Sequence, residues 1–411
     1  MYSTINLSGK SAYYLELEKN YGAHNYHPIP VVLSKGEGVF LWDVEGRKYY
    51  DFLSGYSAVN QGHCHPVILK AFMEQAQKLT LTSRAFHSDL LGEYTKYITN
   101  YFGYDKVLPM NTGAEAVETA IKLCRKWAYE VKNVPANSAT IVVCEGNFHG
   151  RTTGIISFSS DPLSTTNFGP YLPGFEMIPY NDVSALTRAL ENKNVAGFLV
   201  EPIQGEAGVV VPDNGYLSRA KEICEQSNVL FIADEIQTGL ARTGKMLACE
   251  HEHVRPDILL LGKALGGGMI PVSAVLADDE IMLTIKPGEH GSTFGGNPLA
   301  CKTAIAALQV LKDEKMIENA EIMGQLLRTE LQNLRSKHIA VVRGKGLLNA
   351  IVIEHINKEA AWDLCVQLKE NGLLAKPTHG DKIRFAPPLV ITKDQVIECV
   401  AIIRDSLTCL D

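Results

Sequence analysis

The residues of this sequence best suited to chemistry are a lysine and an aspartate, each at the end of a short apolar stretch. Asp234 follows residues 229–233, and Lys263 follows residues 258–261 and precedes several glycines. A carboxylate at the end of a buried strand is costly unless a positive or hydrogen-bonding group meets it. A lysine in an apolar pocket has a lowered pKa and can attack a carbonyl. The simpler interpretations are a solvated strand end and a surface amine with a buried aliphatic stem.

A candidate phosphate site allows these two residues to be combined. Asn111-Thr112-Gly113-Ala114 precede a helical pattern, and the N–H groups of a helix N-terminus bind phosphate. A phosphate seat, an acid and a lysine together can hold pyridoxal 5'-phosphate. Lys263 would form the Schiff base, and Asp234 would keep the pyridine nitrogen protonated so that the ring accepts electrons. This pattern therefore predicts a pyridoxal-phosphate site and leaves Glu235 without a role.

Three other motifs are weaker candidates. Residues 239–246, GLARTGKM, approach the phosphate loop GxxxxGK[ST], but Met246 replaces the hydroxyl residue that would hold magnesium, so an ordinary loop is favoured. His63-Cys64-His65 and the EHEH stretch at 250–253 contain ligand atoms without a recognised zinc spacing. We expect solvated or packed roles for both and predict no metal site.

An α/β scaffold must position these residues. Apolar runs at 141–143, 198–200, 229–233, 258–261 and 272–276 alternate with helical patterns, which predicts a largely parallel sheet. After about residue 300 the sequence predicts two helices, one glycine-led strand at RGKGLLNAIVIE, and a last helix that begins with a capping box at residues 392–395. We therefore expect an N-terminal segment (1–56), a large α/β domain (57–315) and a smaller C-terminal α/β domain (316–411).

The bulk composition excludes several classes of partner. The chain has 411 residues, 46% hydrophobic and 21% charged, with a net charge of −7, so no nucleic-acid or anionic-membrane partner is expected. No apolar run approaches a membrane span. The first residues contain neither an apolar signal core nor an Arg-rich presequence, which predicts a cytoplasmic protein, or a mitochondrial one whose presequence was removed. The nine scattered cysteines indicate reduced intracellular thiols.

Six segments in the same order resemble the class III, pyridoxal-phosphate-dependent aminotransferases over roughly residues 21–388. They are MNTGAEAVETAIKLCRKW, GNFHGRT, EPIQGEAGVVVP, FIADEIQTGLARTGK, LGKALGGGMIPVSAV and HGSTFGGNPLA. YGAHNYHPIPVVL, YSAVNQGHCHP, KPGEHGSTFGGNP and KPTHGDKIRFAPPLVI are most similar to family members that act on ornithine. The resemblance implies fold type I, with a mainly parallel sheet in the large domain. It also implies ping-pong transfer of the δ-amino group of L-ornithine to 2-oxoglutarate.

The resemblance also implies roles for cofactor-binding residues. Lys263 would bond the cofactor and move the proton, and Asp234 would pair with the pyridine nitrogen. The remaining implied positions are Gln237 at the phenolic oxygen, Phe148 stacked on the ring, amides of Gly113 and Ala114 on the phosphate, and Ser292 and Thr293 on the phosphate of the neighbouring subunit. The active unit would be a homodimer or a multiple of dimers with shared sites.

For the substrates, the resemblance implies that Arg151 and Tyr26 clamp the α-carboxylate of ornithine. Arg384 would hold the α-carboxylate of glutamate or 2-oxoglutarate, because the planar guanidinium binds a carboxylate through two hydrogen bonds. Glu206 would pair with Arg384 while ornithine is bound, and Tyr56 would shape the pocket. The sequence departs from the family at Gly266, where serine is common, and at Gly55, where a larger residue is frequent.

Several residue roles and activities remain open. Glu206 and Arg384 could form an ordinary structural ion pair, Tyr26 and Tyr56 could be packing residues, and Phe148 could belong to the core. Another ω-aminotransferase, acting on N-acetylornithine or 4-aminobutyrate, is the nearest rival activity. Two more distant rivals are an aminomutase that needs no 2-oxoglutarate and a binding protein that keeps the fold without catalysis.

Overall fold

The structure, a computed structural model, describes residues 9–411 as three sheets with helices packed around them. The strands are β1 (Leu33–Glu37), β2 (Phe40–Asp43), β3 (Lys48–Asp51), β4 (Lys106–Met110), β5 (Thr140–Cys144), β6 (Phe175–Ile178), β7 (Val195–Val200), β8 (Leu230–Asp234), β9 (Ile258–Leu261), β10 (Ser273–Ala277), β11 (Ile339–Lys345), β12 (Leu348–Ile353), β13 (Leu373–Leu374), β14 (Lys376–Thr378) and β15 (Lys382–Phe385). The α-helices are α1 (Lys10–Tyr21), α2 (Ser54–Ser57), α3 (Pro66–Ala76), α4 (Asp89–Phe102), α5 (Gly113–Glu130), α6 (Thr153–Ile156), α7 (Pro162–Thr165), α8 (Val183–Ala189), α9 (Tyr216–Gln226), α10 (Asp279–Met282), α11 (Pro298–Asp313), α12 (Met316–Asn333), α13 (Ala360–Glu370) and α14 (Lys393–Leu407). Short 3-10 helices cover Ala248–Glu252, Lys263–Gly266 and Thr408–Leu410.

The largest sheet has seven strands in the order β4-β10-β9-β8-β7-β5-β6. Only β10 runs antiparallel to its neighbours, so the predicted mainly parallel sheet is confirmed. Alternate residues of β5 face opposite sides. Ile141 and Val143 pack into the core that contains α5, whereas Val142 and Cys144 pack into the core that contains α8 and α9. Because helices cover both faces of the sheet, the sequences of the central strands are unbroken apolar runs.

Helix α5 begins with a capping box that fixes its first turn in front of the sheet. The Thr112 side chain accepts a hydrogen bond from the Glu115 N–H, and the Glu115 carboxylate accepts one from the Thr112 N–H at 2.7 Å. The predicted helix is confirmed. The Glu115 carboxylate also accepts from the Asn111 N–H at 2.9 Å and so holds the backbone that leads into the first turn.

The predicted C-terminal helices are confirmed, but the strand prediction there is partly wrong. RGKGLLNAIVIE contains the end of β11, a tight turn and β12, which form an antiparallel hairpin in the sheet β11-β12-β15-β14. The chain reverses at Gly346, whose φ of +52° suits glycine. A one-strand interpretation missed this turn because Arg343-Gly344-Lys345, the end of β11, has no apolar pattern of its own.

The N-terminal strands β1, β2 and β3 form a sheet that is completed by β13 from the C-terminal part. Strand β13 pairs in parallel with β3, so the first and last parts of the chain share backbone hydrogen bonds. The predicted boundaries at residues 56 and 315 stay predictions. This shared sheet favours treating the N-terminal segment and the C-terminal part as one unit.

Arg242, in the loop at residues 239–246, forms hydrogen bonds with the N-terminal and C-terminal parts of the chain. Its fully buried guanidinium donates to Asn60 Oδ1, to the Leu347 carbonyl at 2.9 Å and to the Pro387 carbonyl at 2.7 Å. Burial lowers the pKa of Arg242 to about 9, which leaves it protonated at pH 7. Residues 239–246, which resemble a phosphate loop in sequence, therefore have a structural role in packing.

Other sequence features have plain structural descriptions. All nine cysteines are free thiols, and only Cys64 and Cys409 are exposed. His63 binds Asp51 and His65 binds Glu314, and no group of His, Cys, Asp and Glu within residues 9–411 is arranged to hold a metal. Within the same residues, every helix is too short or too polar to cross a membrane.

Candidate active site

Three neighbouring strands bring chemically active side chains to one edge of the large sheet. Glu201 follows β7, Asp234 ends β8, and Lys263 comes two residues after β9. Val200 pairs with Ala233 in the parallel β7–β8 ladder, so Glu201 and Asp234 leave the sheet side by side. The edge opens into a cavity of about 210 Å³, whose lining is Gly113, Ala114, Phe148, His149, Gly150, Glu201, Glu206, Asp234, Ile236, Gln237, Thr238 and Lys263.

Lys263 has the properties of a reactive amine. Removal of its amine from water lowers the pKa of Lys263 to about 8, although the nearby Glu206 carboxylate opposes this shift. Its backbone has a φ of +44°, an uncommon conformation for a residue other than glycine. The structure thus places Lys263 in the wall of the cavity, and its chemical role stays a prediction.

Asp234 is held by two hydrogen bonds that fix the direction of its carboxylate. Its Oδ1 accepts from the Ile236 N–H at 3.1 Å, and its Oδ2 lies 2.7 Å from Nδ1 of the buried His149. Burial would lower the pKa of His149, but the hydrogen bond to Asp234 raises it overall. No sequence pattern indicated this pair, because GNFHGRT lies on a different element.

Glu201 is a buried acid of the cavity that sequence reasoning missed. Its Oε2 accepts a hydrogen bond from the Phe148 N–H at 2.9 Å. Burial raises the pKa of Glu201 to about 8, partly offset by His149, so its carboxyl group is mostly protonated at pH 7. The signal was present, since Glu201 follows an apolar strand as Asp234 does.

Glu235 has a structural role in place of a chemical one. Its Oε1 accepts from the Cys249 N–H at 2.8 Å, and its Oε2 accepts from the Thr238 hydroxyl. Burial raises the pKa of Glu235 despite these bonds. Glu235 therefore fastens the loop that follows β8 and does not line the cavity.

Glu206 and Arg384 form an ion pair at the cavity wall. Arg384 Nη1 donates to Glu206 Oε1 at 2.6 Å and to Gln237 Oε1 at 3.3 Å, and Gln237 Nε2 donates to Glu206 at 3.0 Å. Burial alone would raise the pKa of Glu206, but the charges of Arg384 and Lys263 lower it to about 2. Arg384 Nε and Nη2 are buried without a hydrogen-bond partner in the described structure, so the guanidinium retains unused donors.

Tyr56 joins this cluster through a ring contact. The Arg384 guanidinium lies 5.0 Å from the centre of the Tyr56 ring. Tyr56 stands in α2, a left-handed turn in which Gly55 has a φ of +54°, so glycine suits the position where the family often has a larger residue. A Cβ at Gly266 would make only an ordinary contact, 3.5 Å from the Val272 nitrogen.

The remaining predicted site residues lie at the mouth of the cavity or outside it. Phe148 lines the cavity and is 36% exposed, so the core interpretation of its ring is wrong, and the exposed Arg151 guanidinium lies 5.8 Å from that ring. Tyr26 is 63% exposed. Ser292 and Thr293 are not part of the lining. The hydroxyl of Ser292 accepts from Asn111 Nδ2 of the same chain at 2.9 Å, next to the start of α5.

The residues of the cavity fit pyridoxal phosphate. The Gly113 and Ala114 N–H groups belong to the first turn of α5 and have no acceptor within the helix. A Cβ at Gly113 would lie 3.2 Å from the Ile236 side chain, so this part of the phosphate seat has little room for a larger residue. An oriented carboxylate, an amine with a lowered pKa and a partly exposed aromatic ring supply the other contacts that the cofactor needs.

Comparison with known proteins gives a consistent result. The family model of the class-III aminotransferases matches residues 21–407. The mitochondrial ornithine aminotransferase of Rattus norvegicus is 63% identical over 97% of this chain and 90% of its own length. The corresponding protein of Drosophila melanogaster is 64% identical over 95% of this chain and 90% of its own length.

Solved structures agree with these sequence matches. The ornithine aminotransferase of Toxoplasma gondii, reported with partial occupancy of PLP, superimposes with a TM-score of 0.96 at 50% identity, over 97% of this chain and 94% of the other. A protein from Elizabethkingia anophelis named acetylornithine aminotransferase is 59% identical, with a TM-score of 0.90 over 98% of this chain and 100% of the other.

Proposed function

Because the chain belongs to the class-III aminotransferases, we propose that it transfers the δ-amino group of L-ornithine to 2-oxoglutarate. It is a pyridoxal-phosphate-dependent transaminase with the type I fold. The products are glutamate and glutamate 5-semialdehyde, and the semialdehyde cyclises to pyrroline-5-carboxylate. The observation that carries the ornithine assignment is the Glu206–Arg384 ion pair beside Lys263, because it masks the charge that would hold an α-carboxylate next to the amine.

Bound pyridoxal phosphate supplies an electron sink that stabilises negative charge on the substrate carbon. Lys263 would bond the cofactor and then move the proton at its Nζ, a task suited to an amine whose pKa is about 8. Asp234, held by His149, would keep a proton on the pyridine nitrogen. Gln237 would contact the phenolic oxygen, and Phe148 would cover the ring.

The phosphate of the cofactor binds at the start of α5. Gly113 and Ala114 offer backbone N–H groups there, where the helix dipole also favours an anion. Ser292 and Thr293 complete the seat of the neighbouring subunit in a homodimer or a multiple of dimers. Within the described chain the Ser292 hydroxyl contacts Asn111, next to the start of its own α5, so the contribution to the neighbouring subunit and the dimer stay proposals.

The two substrates use one pocket with different carboxylate contacts. Arg151 and Tyr26 hold the α-carboxylate of ornithine at the cavity mouth, which leaves the δ-amine at Lys263, and Tyr56 shapes the wall between them. Glutamate and 2-oxoglutarate place their α-carboxylate on Arg384, whose unused Nε and Nη2 donors can bind it after Glu206 moves away. Alternating use of one pocket gives ping-pong kinetics.

The names of similar proteins bear on the compartment. Four ornithine aminotransferase relatives are named mitochondrial, which supports the mitochondrial matrix over the predicted cytoplasm. The compartment itself stays a prediction.

A spectral titration tests the assignment. The yellow holoenzyme is mixed with L-ornithine, N-acetylornithine or 4-aminobutyrate in the absence of any oxo acid. We expect L-ornithine to remove the yellow absorbance most efficiently and 2-oxoglutarate to restore it. A stronger response to N-acetylornithine would instead indicate acetylornithine aminotransferase activity, the activity named for the Elizabethkingia anophelis protein. Turnover of ornithine without 2-oxoglutarate would indicate an aminomutase.

A further inference from the structure

Lys376 lies directly opposite Arg384 on neighbouring strands of the C-terminal sheet. Strands β14 and β15 are antiparallel, and Lys376 and Arg384 are Cα partners in their ladder. Directly opposed residues of two strands project from the same face of the sheet. The ammonium group of Lys376 thus lies on the same face of the sheet as the guanidinium of Arg384, which we assign to the carboxylate of the oxo acid.

Lys376 contacts both tyrosines that the proposed function places at the substrate. Its Nζ donates to the Tyr56 hydroxyl at 3.4 Å and lies 5.7 Å from the centre of the Tyr26 ring. The Tyr56 ring in turn lies 5.0 Å from the Arg384 guanidinium. Tyr56 therefore stands between two cations, with its ring towards Arg384 and its hydroxyl towards Lys376.

The two cations differ in their balance of charge. Arg384 is neutralised by Glu206 at 2.6 Å, whereas Lys376 forms no ion pair with any carboxylate in residues 9–411. Because Glu206 already compensates Arg384, the positive charge that has no carboxylate partner beside the tyrosines is that of Lys376. A substrate carboxylate would balance this charge.

We propose that Lys376 is a specificity-determining residue for the carboxylate of the amino-acid substrate. Its ammonium attracts the α-carboxylate of ornithine held near Tyr26, and its hydrogen bond keeps the Tyr56 hydroxyl in place. This inference rests on the proposed function, because it takes the ornithine carboxylate to bind at the cavity mouth. Arg384 attracts the same carboxylate less strongly, because Glu206 neutralises its charge.

The test compares a substrate with a carboxylate to one without it. L-Ornithine and 1,4-diaminobutane share the reacting amine and the carbon chain, but only ornithine has the carboxylate. We expect Lys376→Gln to lower kcat/KM for ornithine about tenfold or more, the range of a hydrogen bond to a charged group. For 1,4-diaminobutane, measured as a substrate or as a competitive inhibitor, the affinity stays equal or increases because a repelling cation is gone. Lys376→Arg restores most of the ornithine value.

The control is Lys358→Gln, which removes the same charge from an exposed position before α13 and should change neither value. An equal loss for both ligands in Lys376→Gln would show a purely structural role and overturn the inference. Unchanged ornithine kinetics would overturn it as well. Failure of the unmodified enzyme to use ornithine would contradict the proposed function itself, and the two failures are thereby distinguished.

Discussion

Nδ1 of His149 lies 2.7 Å from Oδ2 of Asp234, and both side chains are buried. The two residues are 85 positions apart in the sequence, on the segment after β5 and at the end of β8. Because the Ile236 N–H holds the other oxygen of Asp234, the carboxylate is oriented before any ligand binds. His149 is therefore a positioning residue for the carboxylate that we propose pairs with the pyridine nitrogen.

We expect His149→Gln to weaken cofactor binding about tenfold or more, because a hydrogen bond to a charged group contributes roughly 1.5–3 kcal/mol. The dissociation constant of pyridoxal phosphate, measured by titration of the apoenzyme, checks this expectation. His63→Gln is a matched control, since it breaks a His–Asp pair of the same length, 2.7 Å to Asp51, outside the cavity lining. It should lower the thermal stability without changing cofactor affinity. Equal affinities for both variants would contradict the role of His149.

Glu201 should make stability depend on pH. Its pKa is about 8 in the folded protein, well above the ordinary value of 4.5. The stabilising effect of the protonated form is complete below pH 4.5 and is lost as the pH rises through 8. Glu201→Gln can keep the hydrogen bond from the Phe148 N–H and cannot ionise. We expect the variant to gain stability relative to the parent between pH 5 and 8, by at most about 1.4 kcal/mol per pH unit.

Denaturant unfolding of the two apo proteins at several pH values measures this difference. Glu145→Gln, on an exposed glutamate just after β5, serves as the control and should show no comparable trend. A constant difference between Glu201→Gln and the parent across this range would show that Glu201 is ionised in the folded protein.

The sequence could place Asp234 and Lys263 because local rules decide their positions. Each follows a buried apolar strand, and parallel strands bring their carboxyl ends to one edge of a sheet. Glu201 obeys the same rule at the end of β7, so it could have been found. The start of α5 was equally readable from the residues around Thr112.

Other parts of the site depend on contacts between distant segments. No local pattern predicts that Lys376 and Arg384 are opposed, since their pairing follows from the register of β14 and β15. The left-handed turn around Tyr56 contains one glycine among four residues of positive φ, so its shape is imposed by the surrounding structure. Tertiary packing therefore determines the substrate side of the pocket more than the cofactor side.

Lys263→Ala should bind pyridoxal phosphate and fail to turn over, because the remaining contacts hold the cofactor but no amine moves the proton. Spectra and steady-state assays of the purified variant measure both properties. Normal turnover would refute the assignment. In the parent apoenzyme, the rate of reaction with pyridoxal phosphate should be half-maximal near pH 8 and level off at higher pH, since the pKa of Lys263 is about 8. The control for Lys263→Ala is Lys312→Ala, which changes an exposed lysine of α11 and should keep full activity.

Glu206→Gln should change the balance between the two half-reactions. In the parent, an α-carboxylate can reach Arg384 only by displacing Glu206, which is ionised because its pKa is about 2. Glutamine removes that competing charge, so glutamate binds Arg384 more readily, whereas ornithine is drawn towards unproductive binding through its own α-carboxylate. We expect the ratio of kcat/KM for glutamate to that for ornithine to rise about tenfold or more, the effect of about 1.4 kcal/mol.

Single-turnover spectra with each amino acid, recorded without oxo acid, measure this ratio directly. Arg384→Gln is the reciprocal variant, because it should lose reaction with glutamate while the ornithine half-reaction continues. If Glu206→Gln slowed both half-reactions by the same factor, the pair would be structural only, and the discrimination against α-amine chemistry would have to come from the shape of the cavity. Opposite changes in the two half-reactions would instead mean that the 2.6 Å contact between Glu206 and Arg384 sets which amine reaches Lys263.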